Sequence, residues 1–155
     1  MAILYSQITW QSLISVHNAG ITMSKITYKI GSTISAAQLA DVFRRSGIRR
    51  PVDDPARIEK MLKQGNILVT AWDGEHLVGV ARALSDFCYC CYLSDLAVDR
   101  EYQHDGIGKT LVEKVHAAIG EQSMLLLLAA PEAQGYYPKI GFEAAGNAWI
   151  IKRSL

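Results

Sequence analysis

The chain lacks the marks of several protein classes. It has only three cysteines in 155 residues, Cys88, Cys90 and Cys91, set almost together. An odd number so closely spaced offers no disulfide framework. No partner at metal-ligand spacing accompanies them, so no metal site is expected. Reduced, small hydrophobic thiols in a cytoplasmic protein are the better reading. Long apolar runs are missing too: the longest, 124–131, is far short of the roughly 20 residues that cross a bilayer, and no membrane partner is expected. Charge of one sign is not in excess. The formal net charge is +1, which argues against a general nucleic-acid binder with its basic face. No basic stretch precedes Ala2-Ile3-Leu4, so a secretory leader is not expected. Internal repeats and low-complexity tracts are also absent.

What remains is an ordinary globular composition, half hydrophobic and a fifth charged, of a length that suits one domain with a real core. Residues 1–24 read as an appended segment, with Met23-Ser24-Lys25 a natural start for a single domain over 25–155. Trp10, Leu13 and Ile14 would give the appended part an apolar docking face.

Periodicity and punctuation give a coarse element order. A strand at 26–30 precedes a helix capped by Ser35, with Leu39, Val42 and Phe43 inward and an end near Gly47. The link 48–55 is rich in charge and proline; Asp54-Pro55 starts a helix that Gly65 stops. Strands at 67–72 and 77–84 form a hairpin about Asp73-Gly74. Another strand covers 87–98, a helix follows Gly106, and 124–129 reads as a strand buried on both faces. A short helix over 132–139 and strands at 142–145 and 148–152 complete the chain. The last of these offers an edge that could pair across a homodimer.

The informative stretch is 93–110, L-S-D-L-A-V-D-R-E-Y-Q-H-D-G-I-G-K-T. It passes from an apolar strand to a helix whose face carries Ile107, Leu111, Val112, Val115 and Ile119. Glycines at such a junction let main-chain N–H groups approach a phosphate, and the helix N-terminus adds about half a positive charge. A dinucleotide fingerprint would need glycine at 111, which is Leu111; a Walker A loop ending in Gly108-Lys109-Thr110 would need one at 103, which is Gln103. The arrangement Q-x-x-G-x-G after L-A-V instead resembles the acyl-CoA loop of the GNAT superfamily of N-acetyltransferases. Downstream, Gly135-Tyr136-Tyr137-Pro138-Lys139-Ile140-Gly141-Phe142 resembles that family's second signature, an aromatic-tyrosine pair followed by G-F. One of the two tyrosines is expected to be a core aromatic.

The resemblance spans about 26–152 and implies an α/β (α+β) GNAT fold: a mixed, twisted sheet of about seven strands flanked by about four helices. It implies acetyl-CoA (coenzyme A) as co-substrate and a primary amine of a small molecule or protein as acceptor. The diphosphate would sit on the main chain of Gln103, His104, Asp105, Gly106, Ile107, Gly108, Lys109 and Thr110. Leu96, Ala97 and Val98 would lend main-chain groups to the pantetheine arm and the thioester carbonyl. Tyr137 aligns with the family's general acid, and Arg49 and Arg50 lie on the link that borders the acceptor site. Ala130 stands where the family often has an asparagine. Strand alternation places Asp95 opposite Leu96, so that Asp95 would face the cleft as proton acceptor if Leu96 faces the core. A non-catalytic acyl-CoA-binding module and a P-loop nucleotide binder are the competing classes.

Overall fold

The computed structural model describes residues 25–154; the expected N-terminal segment 1–24 lies outside the described residues. The elements are β1 (Thr27–Ile30), α1 (Ala36–Ser46), α2 (Pro55–Gln64), β2 (Ile67–Asp73), β3 (His76–Ser85), β4 (Cys90–Val98), α3 (Ile107–Ile119) and β5 (Met124–Leu126). The sheet order is β1-β2-β3-β4-β5, antiparallel except for the parallel pair β4–β5.

Local chemistry sets the helix ends. Ser35 forms a capping box with Gln38, and Gly47 closes α1 in the left-handed conformation. Asp54 accepts from the Arg57 N–H with Pro55 at the first position of α2. α3 buries Ile107, Leu111, Val112, Val115 and Ile119 on one face of the sheet. α1 and α2 bury Leu39, Val42, Phe43 and Ile58 on the other. At roughly 2 kcal/mol for each buried aliphatic side chain, these two layers hold the sheet between them.

β4 changes faces partway along. Arg82 is opposite Asp95 and Ala83 opposite Leu93, so Ser94 is an extra residue bulged out of the ladder. Before it, Cys91 and Leu93 pack towards α3; after it, Leu96 and Val98 do, and Ala97 packs towards α1 and α2. This bulge decides which side chains reach the site.

The far end of the chain departs from expectation. Five strands and three α-helices are described, not seven and four. The expected helix over 132–139 is two 3-10 turns, Pro131–Ala133 and Tyr137–Ile140. β5 is a three-residue edge strand, not a strand buried on both faces, and Met124 is exposed. The segments 142–145 and 148–152 form no strands. β-branched and aromatic residues favour a strand only when one is there to pair with, and neither segment pairs with a strand among the described residues. Trp149 and Ile151 therefore stay almost fully exposed.

Candidate active site

β4 and β5 are paired over three positions only, Cys90 with Met124, Cys91 with Leu125 and Tyr92 with Leu126. β4 then continues to Val98 while the chain after Leu126 leaves the sheet. The opening is a cleft of about 420 Å³, walled by Leu96, Ala97 and Val98 on one side and by Leu127, Ala130 and Tyr137 on the other. An antiparallel ladder uses the main-chain groups of alternate residues. β4 spends those on β3, and beyond Tyr92 the alternate groups are turned towards the cleft. The Gln103 side-chain amide donates to the Val98 carbonyl at 2.9 Å and ties the following loop to the strand end.

That loop is built by its own polar groups. Asp99 caps the 3-10 turn Arg100–Tyr102, accepting from the Glu101 N–H at 3.1 Å and from the Arg45 guanidinium. Burial acts to raise the Asp99 pKa, but the Glu101 N–H and Arg45 hold the carboxyl below its ordinary range. Tyr102 donates its hydroxyl to Asp73 at 2.8 Å. His104 and Gly106 both take positive φ, +79° and +77°, and α3 begins at Ile107 with no side-chain cap. The first-turn N–H groups of α3, from Ile107 to Lys109, therefore lack both an intrahelical acceptor and a capping side chain, and they carry the positive end of the helix.

The two glycines have different jobs. Gly106 has open space where a Cβ would be, but its φ is one that other residues adopt at a cost. Gly108 has ordinary helical geometry, but a Cβ there would lie 2.8 Å from the Tyr136 hydroxyl. A narrow main-chain floor under a tyrosine, beside an uncapped helix start, fits a diphosphate.

The expected loop residues meet at this spot in different ways. Ile107 is buried in the core, so only its main chain is offered. Lys109 lies along the exposed side of α3 near Glu113, at 3.7 Å. Thr110 donates its hydroxyl back to the Gly106 carbonyl at 3.3 Å. His104 and Asp105 are at the exposed tip.

Tyr137 lines the cleft and stacks edge-on against Phe142 and Tyr136, each at 5.5 Å between ring centroids. Burial pushes its phenol above the ordinary tyrosine pKa; Tyr136 adds to the rise and Arg50 opposes it. Tyr136 lies over Gly108, and both tyrosines are half-buried, neither of them a core aromatic.

Asp95 does not face open cleft. Its carboxylate is fully buried, with one oxygen accepting from Arg50 Nε and the other from Arg82 Nε at 2.5 Å. Arg82 also donates to the Met61 carbonyl at 3.0 Å and to Ser94 Oγ at 2.9 Å. Arg50 donates to the carbonyls of Ser94, at 2.6 Å, and Arg49, at 2.7 Å. Alternation against Leu96 holds, but the face it gives Asp95 is covered by the α1–α2 link and by β3. Arg50 reaches the cleft; Arg49 lies on the neighbouring groove.

Three further residues belong here. Arg82 was visible in sequence as a lone charge inside the apolar run 77–84. Arg100 lines the cleft with its guanidinium against Gly47, where a Cβ would collide with Nη2. Tyr136 looked like its neighbour, and only the approach to Gly108 separates the two.

Comparisons with known proteins agree with this geometry. A sequence profile described as Acetyltransferase (GNAT) domain matches residues 33–151. GCN5-related N-acetyltransferase 2, chloroplastic, of Arabidopsis thaliana is 40% identical over 70 residues, which are 44% of this chain and 27% of that protein. A histone acetyltransferase of Glycine max is 35% identical over 72 residues, 45% of this chain and 31% of that one. The matched stretch is thus about a third or less of either relative's length. Among solved structures, an aminoglycoside N-acetyltransferase in complex with CoA superposes with a TM-score of 0.64 at 16% identity, covering 85% of this chain and 97% of that one. On the strength of the domain match and a fold that carries both signatures in their places, the chain belongs to the GNAT acetyltransferase family.

Proposed function

We propose that the protein transfers the acetyl group of acetyl-CoA to a primary amine by direct attack within a ternary complex. The observation that carries this reading is the β4–β5 opening, with alternate β4 main-chain groups turned to one wall, Tyr137 on the other and the uncapped start of α3 at its mouth. Main-chain N–H groups of Gln103 to Lys109 hold the diphosphate, with Arg100 beside them. Main-chain groups of alternate residues along Leu96, Ala97 and Val98 hold the pantetheine arm and the thioester carbonyl. One well-placed N–H at the developing oxyanion contributes on the order of 3 kcal/mol to the transition state. Ala130, in place of an amide side chain, leaves this binding to the main chain.

The amine nitrogen forms its bond to the carbonyl carbon, the C–S bond breaks, and the products are an amide and the free CoA thiol. Tyr137 protonates the departing sulfur, since its raised phenol pKa keeps it protonated at neutral pH. The departing thiolate, whose thiol has a pKa of about 8.5, takes a proton from a phenol of about 10 in an uphill transfer, so the assistance is moderate. The amine must first lose a proton. Asp95 has both oxygens bound to guanidinium groups, so we assign it to holding Arg50 and Arg82 in place. Water accepts the proton, and Arg50, which borders both the cleft and the neighbouring groove, disfavours the ammonium form of the acceptor.

The test is release of free thiol from acetyl-CoA across a panel of amines, beside calorimetric titration with CoA. Turnover with any amine supports the reading. CoA binding without turnover would make the protein an acyl-CoA-binding module instead.

A further inference from the structure

The Arg50, Ser94 and Leu128 positions that border the cofactor cleft also border a second, larger groove of about 1160 Å³. Its charged lining is of one sign. Arg49, Arg57, Lys152 and Arg153 line it beside Arg50 and Arg82, and no acidic side chain is among its described lining residues. Asp95 sits beneath, already engaged by Arg50 and Arg82. The other four cations form no ion pair with the described residues. A chain whose formal net charge is only +1 has thus gathered six cations on one groove. Between them the walls are apolar, from Met61, Leu128 and Ile150.

We infer that the groove binds the acceptor, and that the acceptor is an amine carrying an anionic group, a carboxylate or a phosphate. The inference rests on the acetyl-transfer reading for the identity of the nucleophile, but the charge of the groove stands by itself. An acceptor with one end held by Arg49, Arg57, Lys152 and Arg153 has its amine directed past Arg50 towards the β4–β5 opening. The same cations disfavour a charged ammonium next to them, so they lower the acceptor amine's pKa while holding its acidic end. A polycationic acceptor meets repulsion at every one of these positions. This sets the chain apart in acceptor chemistry from proteins that act on basic peptides or aminosugars.

The experiment compares O-phosphoethanolamine and L-glutamate, as phosphate and carboxylate probes, with ethanolamine and spermidine. Thiol release from acetyl-CoA should favour one or both acidic amines by at least about tenfold in kcat/KM, the size expected of one charge-assisted contact. Arg57→Gln and Arg49→Gln should each reduce the preference for the acidic amine over ethanolamine by about tenfold, and added salt should raise KM for the acidic amine. Arg57 and Arg49 are exposed, so both variants are expected to fold, which a melting curve checks. Preference for spermidine, with thiol release intact, would overturn the acidic acceptor and leave acetyl transfer standing. Calorimetric titration of the two acidic probes into the protein, with and without CoA, decides the groove independently of turnover. Saturable binding that weakens in Arg57→Gln supports it, and no binding at 10 mM, roughly the weakest affinity a single anion site would show, overturns it. If acetyl-CoA itself fails to bind, acetyl transfer falls, and that titration still answers for the groove.

Discussion

The Tyr136 hydroxyl stands 2.8 Å from the point where a side chain at position 108 would begin. The relationship ties the first turn of α3 to the 3-10 region after β5, elements that share no hydrogen-bonded ladder. It explains why glycine occupies a position whose backbone is ordinary helix. Helical propensity alone would favour alanine there by about 1 kcal/mol.

Gly108→Ala should therefore weaken the site without gaining the stability that propensity promises. The new methyl displaces Tyr136 or α3, and KM for acetyl-CoA rises by roughly tenfold for a contact worth about 1.4 kcal/mol. Removing the hydroxyl in Gly108→Ala/Tyr136→Phe should recover most of that loss, because the nearest ring atom left is the 3.6 Å carbon. Equal CoA affinity in the single and double variants, by calorimetry, would show that the contact is unimportant.

Gly106 gives the opposite pattern. Space is free around it, but its φ is +77°, which costs a non-glycine residue on the order of 1 kcal/mol. Asparagine tolerates that region better than β-branched residues do. Gly106→Asn should lower Tm by a few degrees at most, and Gly106→Val by clearly more, with a larger rise in KM for acetyl-CoA. Melting curves that rank the two variants the other way would remove conformation as the reason for this glycine.

These two positions also mark what the sequence could reveal. The glycine loop, the face of α3 and the Asp73-Gly74 hairpin are local patterns, and each is where its spacing placed it. Ser94 is different. Nothing in L-S-D-L-A-V signals a bulge, because the extra residue is defined by pairing with Arg82 and Ala83 on another strand. The bulge and the partners of Asp95, at positions 50 and 82, decide together that this carboxylate is buried among arginines. Sequence alternation gave its face but not what covers that face. The segments 142–145 and 148–152 failed for the same reason: a strand needs a neighbour, and propensity does not supply one.

Asp95→Asn should be costly to the fold. The amide keeps the shape but leaves Arg82, nearly buried, and Arg50 without their counter-charge, a change worth about 3 kcal/mol of stability. A residue that positions Arg50 acts on acceptor binding, so KM for the amine should rise while the pH–rate profile keeps its rising limb. Loss of that limb in Asp95→Asn, under conditions where the variant is folded, would restore Asp95 as the proton acceptor.

The proposed mechanism, with Tyr137 as proton donor and water accepting the amine's proton, sets the expected pH dependence. An amine with pKa near 10.4 has a neutral fraction that grows about tenfold per pH unit below that value. kcat/KM should therefore climb between pH 7 and 9, and kcat should climb with a midpoint displaced downward to the extent that the cationic groove lowers the bound amine's pKa. A general acid is lost only as pH passes its own pKa, and burial has raised that of Tyr137 above the ordinary phenol value. No falling limb should appear below about pH 10. Tyr137→Phe should lower kcat by about 10²-fold across that range and leave the rising limb in place, because the acid and the amine titrate independently. A falling limb with a midpoint near pH 8 in the parent protein, or an unchanged kcat in Tyr137→Phe with chemistry rate-limiting, would take the proton donor's role away from Tyr137.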